Sequence, residues 1–315
     1  MAVFTPVTEA EADAFARTRR LGAVRALLPI AEGVQNTNYR LETDEGVHVL
    51  TLFEGVIDPL ALPFCLGLTD HLADAGLAAA RVLPDDAGRL IGAVAGRPAA
   101  ILTWLPGAWL RQPGLAEVRA AGRALAQLHH EATDYDVRRP DPMGLRTCRA
   151  LHARCLTRAS ERHVPMLLSL GSWLSSAAAE PPVRLPRGPI HADYFPDNVL
   201  FVDGQVSGVI DFYFACTDAL AYDVAVALSA WGFDEAGEPV AEAMDAFVAG
   251  YEDVRPLTAA ERHGLPDLGA RAAVRFTLTR LHDLLFHDPT ALVTPKDPRP
   301  FFRRLDYWRR QSSYA

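Results

Sequence analysis

The sequence predicts an α+β fold, with a small antiparallel sheet near the N-terminus and a larger, mainly helical part after it. Two β-hairpin patterns predict the sheet: apolar residues alternate on both sides of a turn at 44–46, and a second pair of short strands ends at Leu105. After Gly114, apolar residues recur at three- and four-residue intervals, which is typical of amphipathic helices. We therefore expect an N-terminal lobe of residues 1–105 and a C-terminal lobe of residues 106–315.

The N-terminal lobe is expected to contain three helices and two hairpins. Its helix over 59–75 begins with a proline and is followed by Gly76, which is the usual placement of these residues at helix ends. The predicted elements, in order, are helices at 9–19 and 21–28, the hairpin around 44–46, the helix at 59–75, and strands at 90–94 and 98–105.

The C-terminal lobe is expected to be built from amphipathic helices around one β-hairpin. Thr258 and Glu261 form a capping box, which predicts a short helix that ends near Gly264. His129 and His130 fall at the buried end of the first helix of this lobe, without metal-ligand spacing. The predicted helices cover 118–130, 167–174, 224–231, 240–251, 258–264, 274–285 and 301–310.

Composition limits the function classes. Half of the 315 residues are hydrophobic, and the net charge is −8 without a basic run, so a nucleic-acid partner is not expected. No apolar stretch is long enough to span a membrane, and the N-terminus lacks the basic and apolar pattern of a signal peptide. The four cysteines lack C-x-x-C spacing, which predicts reduced thiols. These observations predict a cytoplasmic protein and leave a monomer and a homodimer both open.

Chemically useful side chains concentrate around one predicted hairpin. His191, Asp193 and Asn198 precede its first strand, 199–202, and Asp211 follows its second strand, 206–210. The hairpin would therefore bring Asn198 and Asp211 to the same end. A carboxylate can take the proton of an attacking hydroxyl, while an amide oxygen and a second carboxylate can hold Mg²⁺ against phosphates. This pattern favours phosphoryl transfer.

The motif H-x-D-x-x-x-x-N followed by I-D-F resembles the kinase-like phosphotransferases of small molecules, which include aminoglycoside, choline and methylthioribose kinases. The segments H-A-D-Y-F-P-D-N-V-L-F, I-D-F-Y-F-A-C, A-Y-D-V-A-V-A-L and N-T-N-Y with V-L-T-L-F-E are similar to those of type II homoserine kinases. The resemblance extends from the N-terminus to V-R-F-T-L-T-R-L near residue 278. It implies a two-lobed protein-kinase-like fold and transfer of the ATP γ-phosphoryl group to the hydroxyl of L-homoserine in threonine biosynthesis.

The resemblance also implies roles for the residues of the hairpin. Asp193 would be the base that faces the substrate hydroxyl, and His191 would fix the catalytic loop through hydrogen bonds. Asn198 and Asp211 would bind Mg²⁺ on the nucleotide. Asp223, in the following helix, is expected to brace the loop and not to touch substrate.

Two segments of the N-terminal lobe are expected to bind ATP by the same resemblance. The polar residues around the first strand would cover the phosphates, and the backbone after the last strand would hydrogen-bond adenine. The phosphate-side candidates are Gly33, Asn36 and Asn38, and the adenine-side candidates are Thr103, Trp104 and Leu105.

One part of the kinase pattern is absent. Kinase-like enzymes usually place a lysine on the third strand and a glutamate on the next helix, whereas Thr51 takes the lysine position here and 59–75 has no glutamate. Lys296 is the only lysine in the sequence, which also excludes a Walker A loop. The homoserine kinases share V-L-T-L at this strand. Mg²⁺, backbone N–H groups or an arginine remain as alternatives for neutralising the phosphates.

The acceptor site is expected to contain an arginine, because a guanidinium binds a carboxylate through two parallel hydrogen bonds. Arg275 is the first candidate for the homoserine carboxylate and Arg280 the reserve. Tyr213, Asp218 and Trp231 are expected to shape the rest of the pocket. Other acceptors remain open, namely choline, ethanolamine, hydroxylysine, a sugar or an aminoglycoside, as does a nucleotide-binding regulatory module without turnover.

Overall fold

The structure is a computed structural model that describes residues 5–30, 36–54, 58–177, 185–287 and 294–311. Its contacts divide the chain into two units, one of residues 1–107 with 207–213 and one of residues 108–206 with 214–315. The lobe boundary at residue 105 stays a prediction, and these units differ from it by grouping 207–213 with the N-terminal part. Within the described ranges, no helix has the length and apolar character needed to cross a membrane.

The first unit is an antiparallel sheet with two helices. Five strands run in the order β1-β2-β3-β5-β4, and each neighbouring pair is antiparallel. This confirms the small N-terminal sheet that the hairpin patterns predict. The elements are α1 (Glu9–Arg17), β1 (Val24–Pro29), β2 (Thr37–Thr43), β3 (Gly46–Leu52), α2 (Leu62–Asp74), β4 (Gly92–Val94) and β5 (Arg97–Thr103).

The two faces of this sheet belong to different hydrophobic clusters, because side chains alternate between faces along each strand. Phe15 of α1 belongs to the same cluster as Leu50 of β3. Leu66 of α2 belongs to a second cluster that includes Ala100 of β5. Thr51 lies opposite Ala100 in the β3–β5 register, so the sheet places it on the α2 face.

The predicted helix over 21–28 is wrong, since most of this segment forms strand β1. Gly22 has a φ of 71°, in the left-handed region, and so interrupts the helical conformation after α1. Leu27 then pairs with Leu41 of β2 in an antiparallel register. Pairing with a strand that is distant in sequence therefore outweighs the local preference of the leucines and alanines for helix.

The second unit is mainly helical, as expected. Strands β6 and β9 pair antiparallel, and β7 and β8 form the predicted hairpin across the turn at 203–204. Its elements are α3 (Leu115–Glu131), α4 (Leu145–Leu156), α5 (Val164–Ser176), β6 (Arg187–Ile190), β7 (Val199–Val202), β8 (Gln205–Val209, which continues into the first unit), β9 (Cys216–Ala219), α6 (Leu220–Trp231), α7 (Ala241–Glu252), α8 (Ala259–Leu285) and α9 (Arg299–Arg310).

Helices α3 and α7 pack at a distance that only glycine allows. A Cβ atom on Gly122 of α3 would lie 2.1 Å from the Phe247 carbonyl oxygen, and one on Gly250 of α7 would lie 1.9 Å from the Arg119 carbonyl oxygen. Real side chains do not tolerate such separations, so both positions require glycine. This close packing fixes Tyr251 of α7 beside α3, where it contributes to the site described below.

The sequence predicted separate helices at 258–264 and 274–285, but α8 is one helix of 27 residues. The capping box at Thr258 and Glu261 is present, whereas Gly264 does not end the helix and Pro266 lies inside it. A proline in a helix interior costs about 3 kcal/mol. Fourteen buried residues along α8 offset that cost, which local sequence signals do not report.

Candidate active site

The loop from His191 to Asn198 follows strand β6 and ends in a short 3₁₀ turn before β7. The Asn198 side-chain nitrogen donates to the backbone oxygen of Asp193 at 2.8 Å and lies 3.4 Å from its carboxylate oxygen Oδ2. These bonds fix the orientation of the amide, because its nitrogen points towards Asp193. The amide oxygen of Asn198 therefore keeps its capacity to accept or to ligate.

Ala192, between His191 and Asp193, has a left-handed backbone with a φ of 62°. For a residue other than glycine this conformation costs roughly 1–2 kcal/mol, so surrounding contacts must hold it. The Asp223 carboxylate accepts the N–H groups of His191 and Ala192, each at 2.7 Å. The Arg275 guanidinium donates to the Ala192 carbonyl at 2.6 Å. The strained turn is thus held from both sides.

Asp223 is fully buried and is itself held by a histidine. Its carboxylate lies 3.1 Å from His129 Nε2, and His129 Nδ1 lies 2.8 Å from the Tyr251 hydroxyl. Burial alone would raise the pKa of Asp223, but the hydrogen bond and charge of His129 lower it below its ordinary value. Asp223 therefore stays ionised and braces the loop, in agreement with the sequence-based expectation. The pairing of His129 with Asp223 was missed, because it depends on how α3, α6 and α7 pack.

The environment of Asp193 favours a proton acceptor. Burial raises the pKa of this carboxyl above its ordinary value, although the positive charge of Arg275 acts in the opposite direction. The Asp193 N–H donates to His191 Nδ1 at 3.2 Å, and the His191 side chain is completely buried. His191 thus supports the loop from inside, while Asp193 is only partly covered. Their catalytic assignment stays a prediction.

In the first unit, Thr51, which is expected to take the position of the usual lysine, belongs to a hydrogen-bonded cluster. The Thr51 hydroxyl donates to the Asn38 side-chain oxygen at 2.8 Å, and the Tyr213 hydroxyl is hydrogen-bonded to Thr51. The Tyr213 ring packs edge-on against Phe53, with 5.3 Å between centroids. Burial raises the pKa of Tyr213, and the nearby Asp211 carboxylate raises it further. Tyr213, expected near the acceptor, therefore lies beside Thr51 and Asn38, which are expected near the phosphates.

The other nucleotide candidates are distributed over the same unit. Asn36 is 4 % exposed, while Gly33 lies outside the described residues. Thr103 exchanges backbone and side-chain hydrogen bonds with Arg81 at 2.9 Å. Leu105 is partly buried against the α2-side cluster, and the exposed Trp104 ring has the Arg40 guanidinium 5.6 Å from its centroid. Their roles in ATP binding stay predictions.

Two of the predicted acceptor residues are occupied by contacts within the second unit. Asp218 accepts from the guanidinium of Arg271 at 2.6 Å and lies 3.1 Å from that of Arg187. The Trp231 indole donates to the Tyr194 carbonyl at 2.9 Å. Both side chains are about 5 % exposed, so they support the loop and its surroundings. Their direct contact with substrate stays a prediction.

The two candidate arginines differ in environment. Arg275 is 2 % exposed and contacts the rings of Phe214 and Phe276, and one of its N–H groups donates to the Ala192 carbonyl. Arg280 is partly exposed and makes one long hydrogen bond of 3.4 Å to the Asp297 carbonyl. The contacts of Arg275 therefore serve the catalytic loop, whereas Arg280 retains more of its donor capacity.

The residues predicted to bind Mg²⁺ have suitable chemistry. The Asn198 amide oxygen and the Asp211 carboxylate are hard oxygen donors, the type that Mg²⁺ prefers. Across the described ranges, no group of three or more His, Cys, Asp or Glu side chains could form an all-protein metal cage. Mg²⁺ commonly binds through one or two protein ligands together with substrate phosphates. Each of these two side chains thus offers the type of oxygen that a nucleotide-bound cation takes, and their assignment as Mg²⁺ ligands stays a prediction.

Comparison with known sequences agrees with this chemistry. A model of the phosphotransferase enzyme family matches residues 26–257. The homoserine kinase of Gluconacetobacter diazotrophicus is 44% identical over 317 residues, which cover 100% of this chain and 99% of that protein. The homoserine kinase of Methylobacterium radiotolerans is 45% identical over 309 residues, which cover 98% and 96%. That of Rhizobium meliloti is 42% identical over 309 residues, which cover 98% and 95%.

Solved structures show a related fold at low identity. The amicoumacin kinase hAmiN, in complex with AMP-PNP, Ca²⁺ and Ami, superimposes with a TM-score of 0.65 at 14% identity, covering 94% of this chain and 91% of that one. The aminoglycoside phosphotransferase APH(4)-Ia gives 0.61 at 17% identity, covering 96% and 98%. These likenesses confirm the kinase-like α+β fold that the sequence predicts.

Proposed function

Because this chain belongs to the phosphotransferase enzyme family, we propose that it transfers the γ-phosphoryl group of ATP to the hydroxyl of L-homoserine, giving O-phospho-L-homoserine. The observation that carries this proposal is the match to homoserine kinases at 41–45% identity over at least 97% of the chain. The braced loop around Asp193 supports the reaction type, since phosphoryl transfer depends mainly on positioning and on charge neutralisation.

In this proposal Asp193 is the general base. Its carboxylate accepts the proton of the homoserine hydroxyl as the hydroxyl oxygen forms a bond to the γ-phosphorus, and ADP leaves with the electrons of the broken P–O bond. A pKa above the ordinary value, raised mainly by burial, makes the Asp193 carboxylate a better proton acceptor. Asp223 and Arg275 act indirectly, because they hold the backbone at Ala192 and thereby aim the base.

We propose Asn198 and Asp211 as ligands of Mg²⁺, which when bound neutralises phosphate charge. Asn38, Thr51 and the backbone of 103–105 are proposed to contact ATP. With no lysine in the described part of the first unit, polar hydroxyl and amide groups around Thr51 are the local substitutes. Cytoplasmic location and a monomeric or homodimeric state remain part of the same proposal.

A panel assay tests this function. ATP consumption is measured with Mg²⁺ and, in separate reactions, L-homoserine, choline, ethanolamine, hydroxylysine, a sugar and an aminoglycoside. We expect L-homoserine to give the highest kcat/KM. A higher kcat/KM with another acceptor would show that L-homoserine is the wrong substrate but that the protein is a kinase. ATP binding without turnover on any acceptor would favour a regulatory module.

A further inference from the structure

A second cluster of charges lies against the catalytic loop and is used by no step above. Lys296, in the segment that precedes α9, lies with its ammonium 3.3 Å from Asp197 Oδ2. Asp197 belongs to the loop that carries the base, four residues after Asp193. The only lysine of the chain thus lies beside the catalytic loop of the same unit.

Arg280 of α8 contributes a second positive charge to this cluster. Its guanidinium carbon lies 4.3 Å from the centroid of the Phe301 ring, and its one long hydrogen bond goes to the backbone of Asp297. The Asp297 carboxylate accepts from Arg299 at 2.6–3.0 Å. It acts on Arg280 only through its charge, as do the carboxylates of Asp193 and Asp197. Within the described residues, Arg280 has no ion-pair partner within 4.0 Å.

Arg304 adds a third, buried charge. It is 7 % exposed, and its guanidinium carbon lies 4.0 Å from the centroid of the same Phe301 ring. Its Nε atom has no hydrogen-bond partner among the described residues. Burial and the neighbouring charge of Arg280 lower the pKa of Arg304 to about 9. Among the described residues, no carboxylate forms an ion pair with either guanidinium, and the neighbouring aspartates act on them only at longer range. An anion that contacted both groups would compensate their charge more directly.

The catalytic loop contacts this cluster through aromatic rings. Phe195, between Asp193 and Asp197, lies 5.9 Å from Phe301 and 4.9 Å from Phe276, measured between ring centroids. The cluster is therefore fixed relative to the proposed base. The charge of Asp193 acts on Arg280, so the cluster lies within electrostatic range of the proposed base. An acceptor with a hydroxyl at one end and a carboxylate at the other needs both a base and a cation within such a range.

We propose that Arg280 and Lys296, reinforced by the buried charge of Arg304, bind the carboxylate of the acceptor amino acid. This inference rests on the proposed function and identifies how that site selects an amino acid over an amine that lacks the carboxylate. It makes Arg280 the carboxylate ligand and Arg275 a positioning residue. Lys296 contributes less than Arg280, because its side chain is 56 % exposed and its charge is screened by water.

A kinetic experiment compares L-homoserine with 3-amino-1-propanol, which is the same amino alcohol without the carboxylate. Arg280→Gln should raise the KM for L-homoserine at least about 30-fold, as expected when a charged hydrogen-bonding partner is removed from a desolvated carboxylate. It should leave the KM for 3-amino-1-propanol within about threefold. Lys296→Gln should raise the homoserine KM about threefold.

Matched variants separate this effect from a general loss of structure. Arg303→Gln removes an exposed guanidinium from α9 and should leave both KM values unchanged. Arg280→Lys keeps the charge without the planar fork and should recover part of the preference for homoserine. Equal losses on both acceptors in Arg280→Gln, or an unchanged homoserine KM, would overturn the proposal.

The single lysine permits a binding test without turnover. Endoproteinase Lys-C can cleave the chain only after residue 296, so the appearance of the two fragments from this single cut reports access to this segment. In the absence of nucleotide, L-homoserine should slow this cleavage and 3-amino-1-propanol should not. If the protein phosphorylates L-homoserine but gains no protection from it, the function stands and the carboxylate site is wrong. If the protein fails to phosphorylate L-homoserine, the proposed function is wrong. Protection of the Lys296 segment by other amino acids would then still support the carboxylate site, and lack of protection would refute it.

Discussion

Substitution of Asp223 by asparagine tests the brace of the catalytic loop. The carboxylate accepts two backbone N–H groups at 2.7 Å and faces His129 Nε2 at 3.1 Å, in a fully buried position. Asparagine keeps one acceptor oxygen and replaces the other with an NH₂ group. That group then points at a backbone N–H of the loop or at the His129 ring nitrogen. One charge-assisted bond is lost, and a buried N–H is left without an acceptor.

The cost follows from these contacts. A hydrogen bond to a charged group contributes about 1.5–3 kcal/mol, and an unsatisfied buried donor costs about 1–3 kcal/mol. We therefore expect Asp223→Asn to lower the free energy of unfolding by about 3–5 kcal/mol. Relaxation of Ala192 from its left-handed backbone would also move Asp193, so kcat should fall at least about 100-fold, with a smaller change in KM.

Urea denaturation and steady-state kinetics measure the two effects. Asp253→Asn is the matched control: it makes the same chemical change in a solvent-accessible carboxylate paired with Arg119 and Arg123, and should cost less than about 1 kcal/mol. Parental stability and kcat in Asp223→Asn would refute the brace, because the N–H groups of His191 and Ala192 bond to different carboxylate oxygens and an amide has only one oxygen.

The same residue predicts a pH dependence. The folded-state pKa of Asp223 lies below its ordinary value of about 3.9, so its contribution to stability is complete above that pH. The contribution is lost as the pH falls through the lowered pKa. The stability difference between parent and Asp223→Asn should therefore be constant from pH 5 to 8 and shrink only in stronger acid. A difference that shrinks near pH 6 would contradict this assignment.

Three further predictions concern the base and the nucleotide. Asp193→Asn should reduce kcat by a factor of about 10²–10⁴ and keep the ATP affinity within about twofold of the parent. The acid limb of the parental pH–rate profile should lie above pH 3.8, because the base must be ionised and its pKa is raised. Asp211→Asn should weaken MgATP binding in calorimetry more than Asn198→Ala does, and Asn198→Ala should also lower kcat because it frees the Asp193 loop. A larger loss of MgATP affinity in Asn198→Ala than in Asp211→Asn would contradict these roles. Thr51→Val should cost about 1 kcal/mol of stability and weaken ATP binding, since it deprives Asn38 of its donor; unchanged ATP affinity would remove Thr51 from the nucleotide site.

Much of the fold follows from local sequence signals. The strands β2 and β3 have alternating residues around a glycine-bearing turn, and the observed hairpin joins Thr43 to Gly46 as this pattern predicts. The hairpin of β7 and β8 and the buried stripe of α7 follow in the same way, since their periodicity coincides with one buried face. Local propensity and tertiary packing agree at these elements.

Other features depend on contacts between distant residues. Strand β1 was predicted as helix because its leucines suit either structure, and only pairing with β2 decides the outcome. Arg275 lies beside an apolar stripe, a pattern equally typical of a substrate ligand and of a buried brace. The charged cluster of Arg280, Lys296 and Arg304 joins residues from α8, the segment before α9 and α9 itself, so no motif could reveal it.

The central claim is that Asp193 directs phosphoryl transfer from ATP to the hydroxyl of L-homoserine. The most direct measurement is ³¹P NMR of a reaction that contains the protein, ATP, Mg²⁺ and L-homoserine. With the parent, a phosphate-monoester signal should appear at the chemical shift of added O-phospho-L-homoserine. With Asp193→Asn, this signal should grow at least about 100-fold more slowly. ADP and inorganic phosphate without the ester, or ester formation at the parental rate in Asp193→Asn, would contradict it.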